Sequence, residues 1–194
     1  MVDGIQGVGA IPLDVKRLGI DLLACGAQKW LLSPWGSGFT YVSPSLIEVL
    51  SPQPVSWMGV RGSDDFSTLL AYDLTWRDDA RRFEQITLAY QDFAGMAVSL
   101  GLLRELGWNS VMRHIATRAN ELYEGAKRAG VPLVTPADRL AGIVTVRPFD
   151  VSAASARLQS AGVIHSVREG TIRLAPHCYT TSAEIGTALG ALAE

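Results

Sequence analysis

The chain has 194 residues, of which 48% are hydrophobic and 19% are charged, and its formal net charge at pH 7 is -2. This composition supports a packed core and argues against a disordered chain, and the near-neutral charge offers no basic field for nucleic acid. The two cysteines fit neither a disulfide framework nor a paired-cysteine zinc site. The sequence has no apolar run of roughly 20 residues that could span a membrane, and it lacks a basic segment followed by an apolar leader. We therefore expect a cytoplasmic protein.

The first part of the chain predicts short elements around a loop. Residues 14–19 begin with an aspartate and end with a glycine, a pattern typical of one short helix. Residues 20–25 and 38–42 are apolar runs bounded by turn formers, which indicates buried strands. Residues 28–38, between those strands, are rich in turn-forming residues and predict a loop.

The rest of the chain is predicted to contain an irregular segment, then two helices, and then a mixture of strands and helices. Residues 51–85 are rich in Pro, Ser and Asp without a sustained period and predict an irregular segment, and residues 89–106 and 110–128 predict two helices. The remaining elements are predicted strands at 141–147, 163–167 and 171–175 and predicted helices at 151–160 and 181–192. We expect an α/β fold with a domain boundary near residue 108.

Lys29 is the first candidate for chemistry, because it lies among apolar residues after a buried strand. Desolvation favours the neutral amine that Schiff-base chemistry requires; the alternative is a lysine whose head reaches water over an apolar surface. Asp3 and Gln6 follow the first strand, and loops at the carboxyl ends of parallel strands converge on one crevice. A pyridine ring needs an anion at its nitrogen to act as an electron sink, and Asp3 is the right kind of group. Gln6 could donate to a phenolic oxygen on the same ring.

The order and spacing of these residues resemble a known cofactor-binding segment. Residues 2–39 are similar to that segment of class V, fold-type I pyridoxal-phosphate enzymes, a family that includes cysteine desulfurases, isopenicillin-N epimerase, kynureninase and several aminotransferases. The resemblance implies that Asp3 pairs with the pyridine nitrogen, that Gln6 contacts the ring hydroxyl and that Lys29 binds pyridoxal 5'-phosphate as a Schiff base. Gln28 stands where many relatives have a histidine that contacts the phosphate.

Two further segments extend the resemblance along the chain. Residues 82–87 resemble the family element Arg-Phe-Glu-x-Gly-Thr, with Ile86 in place of the glycine, and this implies that Thr87 reaches the cofactor phosphate across the interface of a homodimer. Residues 171–181 resemble the C-terminal element, which implies that Arg173 binds the α-carboxylate of an amino-acid substrate. A planar guanidinium is well adapted to this task, and the alternative for Arg173 is a surface ion pair.

The resemblance also implies a domain arrangement. Residues 1–107 would be the C-terminal part of the pyridoxal-phosphate-binding large domain, and residues 108–194 would be the small α/β C-terminal domain. The family's Gly-rich phosphate turn and its stacking aromatic or histidine have no counterpart here, and Met1 leads directly into an apparent strand end. We therefore expect a fragment without its N-terminal half, which would bind the cofactor poorly or not at all.

The reaction is the least constrained part of the prediction. A cysteine desulfurase needs a thiolate on a mobile loop before the arginine strand, but residues 162–173 contain no cysteine, and Cys178 is predicted to be a buried apolar residue. Transamination, epimerisation or lyase chemistry remains. The alternatives are an inactive remnant that serves as an interaction module, or an enzyme like a cysteine desulfurase or selenocysteine lyase. His114 is predicted to be exposed on its helix, and His177 to be structural rather than catalytic.

Overall fold

The computed structural model of the chain describes residues 1–68, 70 and 73–193. It contains two compact units. The first comprises Met1–Val8 and Leu13–Leu102, and the second comprises Gly9–Pro12 and Leu103–Glu194. The division between Leu102 and Leu103 lies before the predicted boundary at residue 108, and that domain boundary stays a prediction.

The first unit contains a three-stranded sheet in the order β1-β2-β3. Its strands are β1 (Val2–Asp3), β2 (Leu22–Gly26) and β3 (Gly38–Val42). β1 pairs with β2 in parallel, and β3 pairs with β2 antiparallel. Leu23 and Cys25 are buried, as expected for alternate residues on the inner face of a strand. The two predicted strands are confirmed, with β2 displaced slightly toward the C-terminus.

The predicted helix at residues 14–19 is wrong, because this segment forms hydrogen-bonded turns. Asp14 does cap the segment: its Oδ1 accepts the N–H groups of Lys16 at 3.0 Å and Arg17 at 3.1 Å. Gly19 then reverses the chain with a φ of +61°. The cap and the terminating glycine are so close that no second helical turn can form, and one turn alone does not compensate for the cost of nucleation.

A short helix that the sequence interpretation did not include follows β3. Helix α1 (Pro44–Val49) begins after Ser43, whose hydroxyl accepts the N–H of Leu46 at 3.3 Å. Proline at the first helical position adds to this start, because its ring fixes a helical φ and its missing N–H is not needed there. Ile47 is the buried residue of the helix.

The segment 51–85 has neither an α-helix nor a named strand among its described residues, as predicted, but it is well fixed. The Arg77 guanidinium stabilises this segment through hydrogen bonds. Its Nε donates to the Met58 carbonyl at 2.8 Å, and its two terminal nitrogens donate to the Asp64 carboxylate at 2.8 and 2.9 Å. Arg82 donates to the Ile47 carbonyl at 2.8 Å. Short 3-10 turns occur at Trp57–Gly59, Phe66–Thr68 and Ala80–Phe83.

Two long helices follow, α2 (Tyr90–Leu106) and α3 (Trp108–Arg128), close to their predicted limits. The second unit then adds β4 (Val144–Val146), α4 (Val151–Ser160), β5 (Ser166–Arg168), β6 (Thr171–Leu174) and α5 (Ser182–Ala193). Its sheet is antiparallel in the order β4-β6-β5. The fold is α/β, as predicted. No helix in the described residues is long and apolar enough to span a bilayer.

The core of the second unit lies between its sheet and the helices α3, α4 and α5. Its fully buried members include Leu122, Val144, Val146, Leu158 and Ile172. The start of α5 has a reciprocal cap, in which Glu184 accepts the Thr181 N–H at 2.7 Å and Thr181 Oγ1 accepts the Glu184 N–H at 3.3 Å. This cap fixes the chain as it leaves the loop after β6.

Candidate active site

The parallel pairing of β1 and β2 determines the position of Asp3. Asp3 lies opposite Ala24 in the register, and the next backbone N–H, that of Gly4, donates to the Ala24 carbonyl at 2.7 Å. The Asp3 side chain accepts the N–H of Ile5 at 3.0 Å, which fixes one carboxylate oxygen against the turn after β1. The residue is nevertheless exposed, so the carboxylate remains accessible.

Lys29 follows the carboxyl end of β2, so it lies at the same end of the parallel pair as Asp3. The buried thiol of Cys25 lies near enough to both charges for each to affect its pKa. Burial raises the pKa of Cys25 most, the negative charge of Asp3 raises the same pKa further, and the positive charge of Lys29 lowers it. Opposite charges on Asp3 and Lys29 therefore both act at the end of β2. Asp3 and Lys29 therefore both lie within electrostatic range of Cys25, and their shared role in a site stays a prediction.

Helix α2 supports the loop that carries Lys29. Ser99 Oγ donates to the Leu32 carbonyl at 2.9 Å, and Leu32 has a positive φ of 55°, which is uncommon for a residue with a side chain. Gly95 lies against Pro34: a Cβ at position 95 would be 2.6 Å from Pro34 Cγ. The loop is therefore rigidly positioned, while Lys29 itself is half-buried.

Gln28 and Gly26 share the space at the end of β2. A Cβ added to Gly26 would lie 2.5 Å from Gln28 Oε1, so the missing side chain of Gly26 leaves room for the Gln28 amide. Gln28 is half-buried, beside the lysine and after the strand. This location is compatible with its predicted contact with a phosphate group, because its amide can donate hydrogen bonds.

Gln6 has a hydrogen-bond partner that the sequence interpretation missed. The indole N–H of Trp30 donates to Gln6 Oε1 at 3.2 Å, which joins the loop after β1 to the loop after β2. Trp30 is buried, and its position next to Lys29 was the only signal in the sequence that could have drawn attention to it. Gln6 is half-buried.

Thr87 lies between the 3-10 turn at Ala80–Phe83 and helix α2, and it is exposed. The neighbouring Ile86, which replaces the family's usual glycine, is 74% exposed. The predicted role of Thr87 involves a second copy of the chain, so it stays a prediction.

Arg173 occupies the middle strand of the second unit's sheet. On β6 it lies opposite Thr145 of β4 and Ser166 of β5. Its side chain is partly buried, and burial together with the charge of Arg168 lowers the pKa of its guanidinium. Arg173 forms no ion pair with any described residue. The alternative of a surface ion pair is therefore not observed within the described part of the chain, and the substrate-binding role of Arg173 stays a prediction.

The loop after β6 is anchored within the second unit. His177 is buried, and its Nδ1 accepts the Cys178 N–H at 2.7 Å. Its ring stacks on Tyr179, with centroids 5.0 Å apart. His114 is half-buried and its Nε2 donates to the Thr180 carbonyl at 2.8 Å, so the prediction that His114 is exposed is wrong. Cys178 is half-buried, and burial raises the pKa of its thiol.

Across the described part of the chain, no group of three His, Cys, Asp or Glu side chains is arranged to bind a metal ion.

Comparison with known proteins identifies the class to which this arrangement belongs. The solved complex of the cystine C-S lyase C-DES with cysteine persulfide superposes with a TM-score of 0.82 at 25% identity, over 97% of this chain and 50% of that one. A C-DES variant with glycine linked to its PLP cofactor gives 0.83. An alanine-glyoxylate aminotransferase from Nostoc sp. shares the fold at a TM-score of 0.70 and 19% identity, over 99% of this chain and 52% of that one. The fold is that of fold-type I PLP enzymes.

The family follows from the sequence comparison. The model of aminotransferase class V matches residues 1–185, and the chain belongs to that family. The uncharacterized aminotransferase YcbU of Bacillus subtilis (strain 168) is 33% identical over 193 residues, which cover 99% of this chain and 50% of that protein. A probable cysteine desulfurase of Pyrococcus abyssi (strain GE5 / Orsay) is 26% identical over 211 residues, which cover 100% of this chain and 51% of that protein. The chain spans about half the length of the curated relatives it matches.

Proposed function

We propose that this chain supplies part of the active site of a homodimeric PLP-dependent enzyme that acts on an amino acid by transamination, epimerisation or lyase chemistry. Residues 1–107 carry the cofactor-binding groups in this proposal, and residues 108–194 form the small domain. The proposal depends on one observation: Asp3, Gln6 and Lys29 follow the same end of the parallel pair β1–β2.

The three groups fit the functional groups of PLP. When bound, the cofactor provides an electron sink for the carbanion of an amino acid. Asp3 supplies the anion that keeps the pyridine nitrogen protonated, and Gln6 supplies an amide for the ring oxygen. Lys29 would hold the cofactor through its amine, and the same amine would serve as the general base for the α-proton of the substrate. Gln28 contacts the phosphate, and Thr87 of a second copy completes that contact.

Arg173 is the proposed anchor for the α-carboxylate of the substrate. Its guanidinium is partly buried and has no carboxylate partner among the described residues, so a negative ligand would gain a charge-assisted, bidentate contact without displacing an existing one. The neighbouring positive charge of Arg168 adds to the attraction for an anion.

The geometry before Arg173 favours these reactions over desulfuration by a cysteine thiolate. Strands β5 and β6 are joined by Glu169 and Gly170 alone, with φ angles of +49° and +67°. Two residues with positive φ are typical of a tight type I' hairpin, which has no room for a mobile loop. The segment 162–173 also contains no cysteine. The desulfurase alternative therefore lacks its nucleophile at this place.

The lysine content of the chain makes a direct test possible. Only Lys16, Lys29 and Lys127 can form a Schiff base through a side chain, and Lys16 and Lys127 are exposed. We expect that incubation with PLP, reduction with borohydride and peptide mapping will find the adduct mainly on Lys29. Lys29→Ala should abolish the main adduct and the visible absorbance that accompanies it. Lys16→Ala and Lys127→Ala are matched controls and should retain both.

The opposite pattern would overturn the proposal. Equal labelling of the three lysines, or labelling of Lys29 that Asp3→Ala leaves unchanged, would mean that PLP reacts with surface amines and is not bound in a site. The inactive remnant that serves as an interaction module would then be the better account. A second measurement, with the N-terminal half of a relative added in trans, would show whether contacts from that half raise the occupancy of Lys29.

A further inference from the structure

We propose that Trp30 is a positioning residue that fixes the orientation of the Gln6 amide, so that Gln6 presents its N–H groups and not its oxygen to the cofactor. This inference rests on the proposed function for the identity of the ligand, but the orientation of the amide can be tested without any cofactor.

The chemistry of the indole group determines the orientation. Trp30 is 4% exposed, and its Nε1 lies 3.2 Å from Gln6 Oε1. The two ends of a carboxamide have nearly the same shape, so shape alone does not select one orientation. An indole nitrogen can only donate, however, and of the two ends only the amide oxygen can accept. The hydrogen bond therefore requires Oε1 to face Trp30.

The other end of the amide is then available to a ligand. In the described residues, the bond from Trp30 is the one hydrogen bond of the Gln6 side chain. The two N–H donors of Gln6 are consequently directed away from Trp30, and they have no hydrogen-bond acceptor among the residues that the structure describes. A group of this kind binds an acceptor, and it binds an anionic oxygen more strongly than a neutral one.

The orientation of the Gln6 amide would determine whether Gln6 stabilises or destabilises the deprotonated ring oxygen of PLP. With Trp30 present, Gln6 donates to the ring oxygen and stabilises its deprotonated form. If the amide turned over, Oε1 would face the same oxygen, and two acceptors would oppose each other. Trp30 does not touch the cofactor in this proposal; it selects the useful orientation of a residue that does.

The first test uses the protein without PLP. In ¹⁵N NMR spectra, Gln6→Leu removes the acceptor, so the indole N–H of Trp30 should shift upfield and exchange faster with water. Gln6→Glu retains an oxygen acceptor and should keep the indole resonance protected. Trp35, which lies in the same loop and is 81% exposed, is the internal reference and should not respond. An indole resonance of Trp30 that is unchanged by Gln6→Leu would overturn the proposed orientation.

The second test uses PLP and the pair Trp30→Phe and Trp35→Phe. Both variants lose an indole N–H from one loop and keep an aromatic ring. Loss of one neutral donor to the ring oxygen should raise the pH midpoint of the absorbance of Lys29-bound cofactor by roughly half to one unit in Trp30→Phe. The midpoint should not move in Trp35→Phe. Gln6→Glu should move it in the same direction as Trp30→Phe, because a carboxylate cannot donate.

The two tests separate the possible failures. A Lys29-dependent absorbance with the same midpoint in Trp30→Phe and the unmodified chain would refute the positioning role while leaving the proposed function intact. If no Lys29-dependent absorbance forms in any variant, even with the N-terminal half of a relative added in trans, the proposed function fails, and the NMR measurement alone decides whether Trp30 orients Gln6. A purely structural role for Trp30 would lower the stability of the protein but would not move the midpoint.

Discussion

Replacement of Gly38 by alanine should show how tightly the end of the sheet is fixed beside Lys29. Gly38 pairs with Gly26 in the β2–β3 ladder. A Cβ at position 38 would lie 2.6 Å from the Cys25 carbonyl oxygen and 3.2 Å from Gly26 Cα. Both are backbone atoms, so no change of rotamer can relieve the contact. Ordinary contact begins at 3.4 Å, and β2 and β3 must therefore move apart locally by about 0.8 Å.

The structure indicates whether Gly38→Ala raises or lowers the free energy of unfolding, and by roughly how much. Forcing an extra carbon into a well-packed place costs about 1–3 kcal/mol. Alanine also restricts the unfolded chain, which returns about 0.4–1 kcal/mol. Since the contact involves two backbone neighbours, we expect the cost to exceed the gain. Gly38→Ala should lower the free energy of unfolding by about 1–2 kcal/mol.

Urea unfolding followed by tryptophan fluorescence measures this change in the correct part of the chain. Four of the five tryptophans belong to the first unit, namely Trp30, Trp35, Trp57 and Trp76, whereas Trp108 belongs to the second. For a urea dependence of about 2 kcal/mol per molar, the midpoint should fall by roughly 0.5–1 M. The displaced backbone at Gly26 should also reduce the labelling of Lys29 by PLP relative to Lys16.

Gly101→Ala is the matched control. Gly101 belongs to α2 and to the first unit, and a Cβ there would meet no atom within 4 Å. The same substitution should therefore stabilise the helix by roughly 0.5–1 kcal/mol. An equal or higher urea midpoint for Gly38→Ala than for the unmodified chain would refute the steric argument. A parallel loss in both variants would point to a general effect of alanine substitution.

Three further outcomes concern the second unit. Ile172→Ala should lower its stability by about 2–5 kcal/mol, because the side chain is fully buried, and hydrogen exchange of β6 measures this loss. Arg173→Lys retains the charge but loses bidentate contact, so affinity for an amino acid measured by calorimetry should fall about tenfold or more. The hydrogen bonds from Thr181 lower the pKa of Glu184 below 4.5, so they contribute stability above pH 4.5 that is lost as the pH falls through the folded-state pKa. Glu184→Gln should therefore make acid unfolding below about pH 4.5 less steep.

The elements that were predicted well are those whose residue pattern involves only positions close together along the chain. Helix α3 buries residues at spacings of three and four, and this pattern can be read directly from the chain: Val111, Ile115, Ala119, Leu122 and Ala126. The strands β2 and β3 are short apolar runs between turn formers, and their limits were predicted to within about two residues. The segment 14–19, which was wrongly predicted to be a helix, has residues typical of a helix start and a helix end but is too short to form one.

The contacts that the sequence did not predict join residues far apart along the chain. Trp30 and Gln6 are 24 positions apart, and His114 and Thr180 are 66 positions apart. No periodicity relates such pairs, because the contact exists only after the intervening elements have packed. The candidate residues of the site could be identified from residue type and order, but their orientation required the structure.

The register of β1 against β2 is the feature on which the candidate site depends most. β1 contains two residues, so few ladder bonds resist a slip, and a shift by one position would turn the Asp3 side chain to the opposite face. The contacts that oppose a slip lie in the loops: Gly4 donates to the Ala24 carbonyl, and Trp30 donates to Gln6 across the two loops. The hydrogen bond that orients the Gln6 amide therefore also opposes displacement of Asp3. Loss of the Trp30 indole N–H should affect both the ring oxygen and the pyridine nitrogen of a bound cofactor, although Trp30 contacts neither.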